Sequence, residues 1–270
     1  LQTPEPYHDP SPHGPQITLL APKATAPLLW IKAGWNDLTS AWPTALFYGF
    51  CFWSMALVLR LIFQKQPEYT MSIASGCLLI GPFLAMGLYE VSRRRQKGLV
   101  NDFFQSLVCW RPHLKSMGLL VLVFMVLELL WGRASLVVFA VFFNTGMPST
   151  TGVIEAIFNP DNFDFLVAYV LVGGVFALLV YSLSAISIPF IRDKDVDAIT
   201  ACITSIRVVL SNPGVMLVWG CLLTATIALA LMTPWSLGLI IAGPLMGHAS
   251  WHAYRATVDW TNASEPNAGN

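Results

Sequence analysis

The chain has 270 residues, of which 55% are hydrophobic and 11% charged, and Lys+Arg 15 balance Asp+Glu 15. A soluble domain carries about 25% charged residues, so this composition excludes a water-soluble globule. Its neutrality excludes a protein that grips nucleic acid by neutralising phosphates, and its hydrophobicity excludes disorder over most of the length.

Residues 1–27 are rich in proline, with Lys23 as the one basic residue. A signal peptide needs a basic start and an apolar stretch, so this segment is expected to be an irregular tail. Six apolar runs follow, each near the roughly 20 residues that cover about 30 Å of hydrocarbon. They are Thr44–Phe63, Thr70–Glu90, Ser116–Phe143, Phe165–Ile191, Gly214–Met232 and Pro234–Thr257. The third and fourth are long enough to tilt or project. Pro234 separates the fifth from the sixth, because proline lacks a backbone donor and starts a helix well. The expected fold is all-α, a polytopic membrane protein of six transmembrane helices arranged as three hairpins. The expected organisation is a tail at 1–27, a membrane domain at 28–258 and a second tail at 259–270.

Lys and Arg accumulate in cytoplasmic loops of inner-membrane proteins. Lys23, Lys32, Arg93, Arg94, Arg95, Lys97, Arg111, Lys115, Arg192, Lys194, Arg207 and Arg255 fall on one side of the six-span layout. The loops on the other side hold only Lys65, while Arg60 and Arg133 lie within or near span ends. Both termini are therefore expected in the cytoplasm, for a bacterial inner membrane. Trp42, Trp110, Trp131, Trp235, Trp251 and Trp260 stand near span ends, as interfacial aromatics do.

A unit of short amphipathic segment, Pro, span and second span occurs three times. The lead-in segments are LLWIKAGWNDLTSAWP, VNDFFQSLVCWRP and DVDAITACITSIRVVLSNP, with Pro43, Pro112 and Pro213 at their ends. The closing segments are GPFLAMGLYEVSRR, ISIPFIRDKD and AGPLMGHASWHAYR, with Pro82, Pro189 and Pro244. Ile199, Ile203, Ile206 and Leu210 recur at helical spacing, so the lead-in segments are expected to lie in the headgroup plane. The loop NTGMPSTTGVIEAIFNPDNFD has no Lys or Arg and is a plausible outer docking surface.

Ionisable groups inside a bilayer are costly and point to function by default. Glu128 and Arg133 share the third span but, about 500° of turn apart, not one face; Arg60 is a candidate partner for Glu128. A structural ion pair with a snorkelling Arg is the simpler account, and a proton or substrate path the alternative. Glu90 sits at local salt-bridge spacing from Arg93 and Arg94. His248 and His252 are i,i+4, a spacing that permits two imidazoles on one metal, or one haem ligand with a second such as His113. The intervening Glu of H-E-x-x-H is absent, and no nearby Cys or Asp completes a site. Interfacial hydrogen bonding is the plainer reading of both. Gly243-x-x-x-Gly247 favours close helix packing. Cys51, Cys77, Cys109, Cys202 and Cys221 show no metal spacing and read as small hydrophobes. The nucleophile elbow, the P-loop and the dinucleotide fingerprint are all missing.

The stretches GPFLAMGLYEVSRR, RDKDVDAITACITSIRVVLSNPG and GPLMGHASWHAYR, with the earlier GWNDL, resemble the proteobacterial integral membrane proteins of domain of unknown function 2189. The likeness runs from about Trp30 to Arg255. Members are sometimes labelled cytochrome c oxidase subunits. A haem–copper core subunit needs more spans than six and more metal-ligating histidines than the five here, of which His8 and His13 lie in the tail. The resemblance therefore implies at most an accessory role. The expected function is a non-enzymatic accessory or structural subunit of a larger inner-membrane complex, with a respiratory cytochrome oxidase as first guess and lipids and other membrane subunits as partners. No cofactor is expected. A transporter or ligand-binding protein using Glu128, Arg133 and Arg60 is the second expectation, and a metal or haem protein using His248 and His252 the third.

Overall fold

In the computed structural model, which describes residues 16–65, 69–143 and 162–261, the described chain is all-α apart from one pair of short strands. Strand β1 (Gln16–Leu19) leads to α1 (Ala26–Ser40), α2 (Trp42–Lys65) and α3 (Thr70–Gln96). Next come α4 (Phe103–Val108), a 3-10 turn at Arg111–His113, α5 (Leu114–Phe142), α6 (Phe163–Ser184) and α7 (Ser187–Lys194). The last third holds α8 (Ala198–Ser211), α9 (Pro213–Met232), a turn at Pro234–Ser236, α10 (Leu239–Thr257) and β2 (Val258–Thr261). Each third of the chain thus runs from a short helix into two longer ones, the order of the threefold sequence pattern. The outer loop singled out in the sequence lies mostly outside the described residues.

The short helices start where a side chain or a proline deals with free N–H groups. Pro27 stands in the first turn of α1. Asp102 accepts from the Gln105 N–H at 3.1 Å ahead of α4. Asp197 accepts from Ile199 and Thr200 at 2.9 and 3.0 Å ahead of α8, the usual work of an aspartate at an N-cap. Their apolar faces remain open: Leu28 and Leu29 on α1, Phe104 on α4, and Ile199, Ile203 and Leu210 on α8 are exposed. Such faces suit a headgroup boundary.

Among the described residues, five segments are long and apolar enough to cross a membrane: Trp42–Lys65, Ile73–Gln96, Phe103–Phe142, Phe163–Lys194 and Pro213–Met232. The sixth expected span, α10, carries His248, His252 and Arg255 and is not apolar enough by composition alone. Its position explains this. It packs on α1, α2, α3 and α9, so its polar groups face protein. The strands supply a topological argument. β1 pairs antiparallel with β2, Gln16 opposite Thr261 and Leu19 opposite Val258. Two paired strands lie on one side of the membrane, so the crossings between them are even in number, and α10 makes the sixth.

The segment read as an irregular tail is corrected on two points: it holds β1, and Ala26 already begins α1. Gln16-Ile17-Thr18-Leu19 alternates polar with apolar, as a half-buried strand does, and Ile17, Leu19 and Trp260 pack on the central core. The partner strand stands at the far end of the chain, so the pairing has no local signal. The second tail, read from residue 259, likewise contains most of β2.

The fourth span, expected to be continuous, breaks between α6 and α7. Pro189 denies its own N–H to the helix and crowds the carbonyl four residues back. The Ile186 N–H donates instead to Ser205 Oγ of α8 at 3.1 Å, and the Ser187 hydroxyl donates to the Leu183 carbonyl.

Glycines let helices close on α10. A methyl group on Gly49 of α2 would strike the Ile240 backbone, and one on Gly34 of α1 would strike the Ala249 backbone. Gly243 and Gly247 do not share one neighbour: the first meets Phe52 of α2, the second Leu88 of α3. Because lipid tails are as apolar as the side chains, such close packing supplies much of the attraction between spans. Gly49→Ala is expected to destabilise the bundle by about 1–3 kcal/mol. Gly118→Ala, where nothing lies within 4 Å, is expected to be near neutral. Thermal unfolding in detergent compares the two.

Candidate functional site

The ionisable side chains collect where α1, α3, α7 and α10 end or turn together. Their arrangement begins with α1, whose buried face carries Ala26, Trp30, Gly34 and Asp37 at helical spacing. Asp37 is only 4% exposed. Its Oδ1 accepts from Arg95 Nη1 at 2.6 Å and its Oδ2 from His252 Nε2 at 2.8 Å. Burial, the largest influence, acts to raise its pKa. Hydrogen bonds from His252 and Ser92 and the nearby imidazole charges outweigh burial together, so the carboxyl sits below its ordinary value.

Glu90 near the end of α3 is 1% exposed. It meets Arg93 Nε at 2.9 Å and Arg94 Nη1 at 3.8 Å, the local pairs its spacing predicts. It also meets Arg192 Nη2 of α7 at 2.6 Å, a contact that spacing does not reveal. Arg192 Nη1 in turn lies 3.4 Å from His113 Nε2, and His113 Nδ1 lies 2.6 Å from Asp195 Oδ1. Arginine can only donate, so Nε2 of His113 accepts and the ring proton belongs on Nδ1, facing Asp195. Asp193 Oδ2 accepts from the Tyr254 hydroxyl at 2.9 Å and from Arg255 Nη1 at 3.5 Å.

These pairs join the three thirds of the chain in a closed ring. Glu90–Arg192 links the first third to the second. Asp193 with Tyr254 and Arg255 links the second to the third. Asp37–His252, with Ser92 Oγ at 2.8 Å from His248 Nδ1, links the third back to the first. The closing segments of the first and third units also correspond: Glu90 and Arg93 follow Pro82 at the spacing at which His252 and Arg255 follow Pro244.

His248 and His252 lie in this ring, with separate partners. His248 is fully buried, and its Nε2 has no hydrogen-bond partner among the described residues. His113 is held by Arg192 and Asp195. Among the described residues no group of three or more His, Cys, Asp or Glu is placed to hold a metal ion. Asp37, Asp193 and Asp195 were not singled out from the sequence. For Asp37 a signal exists: it is an acid on the apolar stripe of an amphipathic helix.

Arg60 does not meet Glu128. It stands over the Trp235 ring at 5.5 Å, beside the Trp53 indole N–H that donates to the Trp235 carbonyl at 2.9 Å. The reason is packing: α2 lies against α10 and α3, whereas α5 lies against α6 and α3. Arg133 is on the exposed side of α5. Glu128, midway along α5, borders a cavity of about 390 Å³ between α5 and α6, lined by Phe124, Trp131, Gly173, Phe176 and Val180 among others. Its Oε2 is shielded and has no hydrogen-bond partner among the described residues. A second cavity of about 460 Å³ lies among Tyr48, Ile80, Phe83, Leu107 and Trp110. Its polar side-chain groups are satisfied, since the Tyr48 hydroxyl donates to Ser106 Oγ at 3.1 Å and the Trp110 indole N–H to the Leu107 carbonyl at 2.7 Å.

A family model described as predicted integral membrane protein (DUF2189) matches residues 70–193. That range covers α3 to α7 and is narrower than the likeness read from the sequence; the closing G-H-x-x-W-H-A-Y-R lies beyond it. No curated protein and no solved structure matches the chain.

Two outcomes follow for the ring. Glu90→Gln leaves the Arg93 and Arg192 guanidinium groups facing a neutral amide in a buried place, so the loss is expected to be about 3–5 kcal/mol in detergent unfolding. Asp37 has a lowered folded pKa, so its stabilisation is fully present above the unfolded carboxylate value of about 3.9. It is lost as pH falls through the lower folded value. Asp37→Asn is expected to remove that part of the acid limb in a melting-temperature series against pH.

Proposed function

We propose that this integral membrane protein, which the DUF2189 family model matches over residues 70–193, is a non-catalytic accessory subunit that packs beside other membrane subunits. A respiratory cytochrome oxidase is the first partner to test. The reading is carried by the ring of buried pairs. Glu90, Asp37, Asp193 and His113 each have fixed partners on other elements, and those of Glu90, Asp37 and Asp193 bind the three thirds into one frame. A catalytic acid or base must change partners during a cycle; a frame must not.

The outward faces support the same reading. Leu129, Val137 and Val141 on α5, Val170 and Leu171 on α6, and Leu217 and Leu229 on α9 are exposed, and lipid or neighbouring spans cover such surfaces. The oxidase is chosen on the label that similar proteins carry. Placement in a bacterial inner membrane, with both termini in the cytoplasm, rests on the Lys and Arg distribution.

The test is purification of a tagged chain from native membranes in mild detergent, followed by mass spectrometry. Stoichiometric recovery with other integral membrane subunits is expected; recovery of the chain free of any such subunit overturns the reading. For the orientation, alkaline phosphatase fused after Lys65 is expected to be active and after Thr261 inactive.

A further inference from the structure

Glu128 differs from every carboxylate in the ring. It is remote from the cations that satisfy Asp37, Glu90 and Asp193, and it is the fifteenth residue of the 29 in α5. At 1.5 Å per residue it lies about 21 Å from either helix end, near the middle of the hydrocarbon. A polar group there needs a partner, because no water competes for it and each unmet hydrogen bond is costly. The shielded Oε2 has none among the described residues, and it borders a cavity.

The cavity walls state what the missing partner is like. The volume of about 390 Å³ falls in the range of small-molecule sites. Its lining is almost wholly apolar, and three aromatic rings, Phe124, Trp131 and Phe176, line it together with Glu128. Trp131 and Phe176 are tilted against each other with centroids 5.9 Å apart. Aromatic faces attract cations, and a carboxylate accepts most strongly from a charged N–H. The room itself depends on Gly173, where a methyl group would come within 3.0 Å of the Trp131 ring.

We propose that the α5–α6 cavity is a binding site for a lipophilic ammonium, an apolar body carrying a protonated amine whose N–H donates to Glu128 while its charge lies among the rings of Phe124, Trp131 and Phe176. The site stands apart from the structural ring and is independent of the accessory-subunit reading. The ammonium belongs either to a free amphiphilic amine or to a lipid whose amine reaches this depth.

Benzylhexylamine is the probe, titrated by calorimetry into the full chain in phosphatidylcholine nanodiscs, with empty nanodiscs subtracted. Saturable binding is expected. Glu128→Gln is expected to weaken it at least tenfold while elution volume and melting temperature are kept. Gly173→Leu is expected to abolish it by filling the cavity. The neutral donor 1-phenylheptan-1-ol is expected to bind at least tenfold more weakly than the amine. Absence of saturable amine binding, equal binding by a folded Glu128→Gln variant, or equal binding of the alcohol each overturns the proposal. Nanodiscs with phosphatidylethanolamine decide the source. Weaker probe binding there supports a lipid ammonium in the site, and unchanged binding supports a free amine.

Discussion

A buried carboxylate is costly to keep charged unless it meets a cation, and three that do so set the shape of this molecule. Asp37, Glu90 and Asp193 are each drawn to a partner from another third of the chain. The attraction is strong because the surroundings exclude water, and removing either partner would leave a bare charge. Each hairpin is thereby fixed at its base. α10 can then carry polar groups along its length, because the other helices shield its His248, Trp251 and Tyr254. Gly34 on α1 follows from the same requirement: the backbone must come close enough to Ala249 for Asp37 to reach His252.

Away from this base the physics changes. Side chains in the middle of the bundle gain little from leaving lipid, so contact quality decides which helices adhere. Near the far ends of α5 and α6, Phe139 and Phe165 lie with centroids 4.8 Å apart and Tyr169 beside them, an aromatic clasp in place of ions. Lower down, the same two helices part around Gly173, and the gap between them is bordered by a carboxyl with one unmet oxygen. One hairpin therefore combines firm contact with deliberate space.

Much of the fold was legible because lipid imposes a length on apolar runs. The six spans, the short amphipathic helices and the recurring prolines all follow from local patterns, and the local pairing of Glu90 follows from helix spacing. What escaped was long-range. Glu90 meeting Arg192, Asp37 meeting His252 and Gln16 pairing with Thr261 depend on which helices become neighbours, and that is not written in any one segment. Arg60 illustrates the converse. Charge alone suggested Glu128 as its partner, but α2 packs on the other side of the bundle and Trp235 receives the guanidinium. The break at Pro189 lies between these cases: proline marks it, yet the distant Ser205 on α8 receives the Ile186 N–H that the break frees.

The strand pair has an implication for biosynthesis. β1 leaves the ribosome ahead of every hairpin, while β2 is made only after α10. This strand must wait, unpaired, until all six crossings have been threaded through the insertion machinery. Completion of this small sheet therefore reports that translation has passed the last helix, and a chain halted earlier would display an open strand edge that quality-control proteases could read.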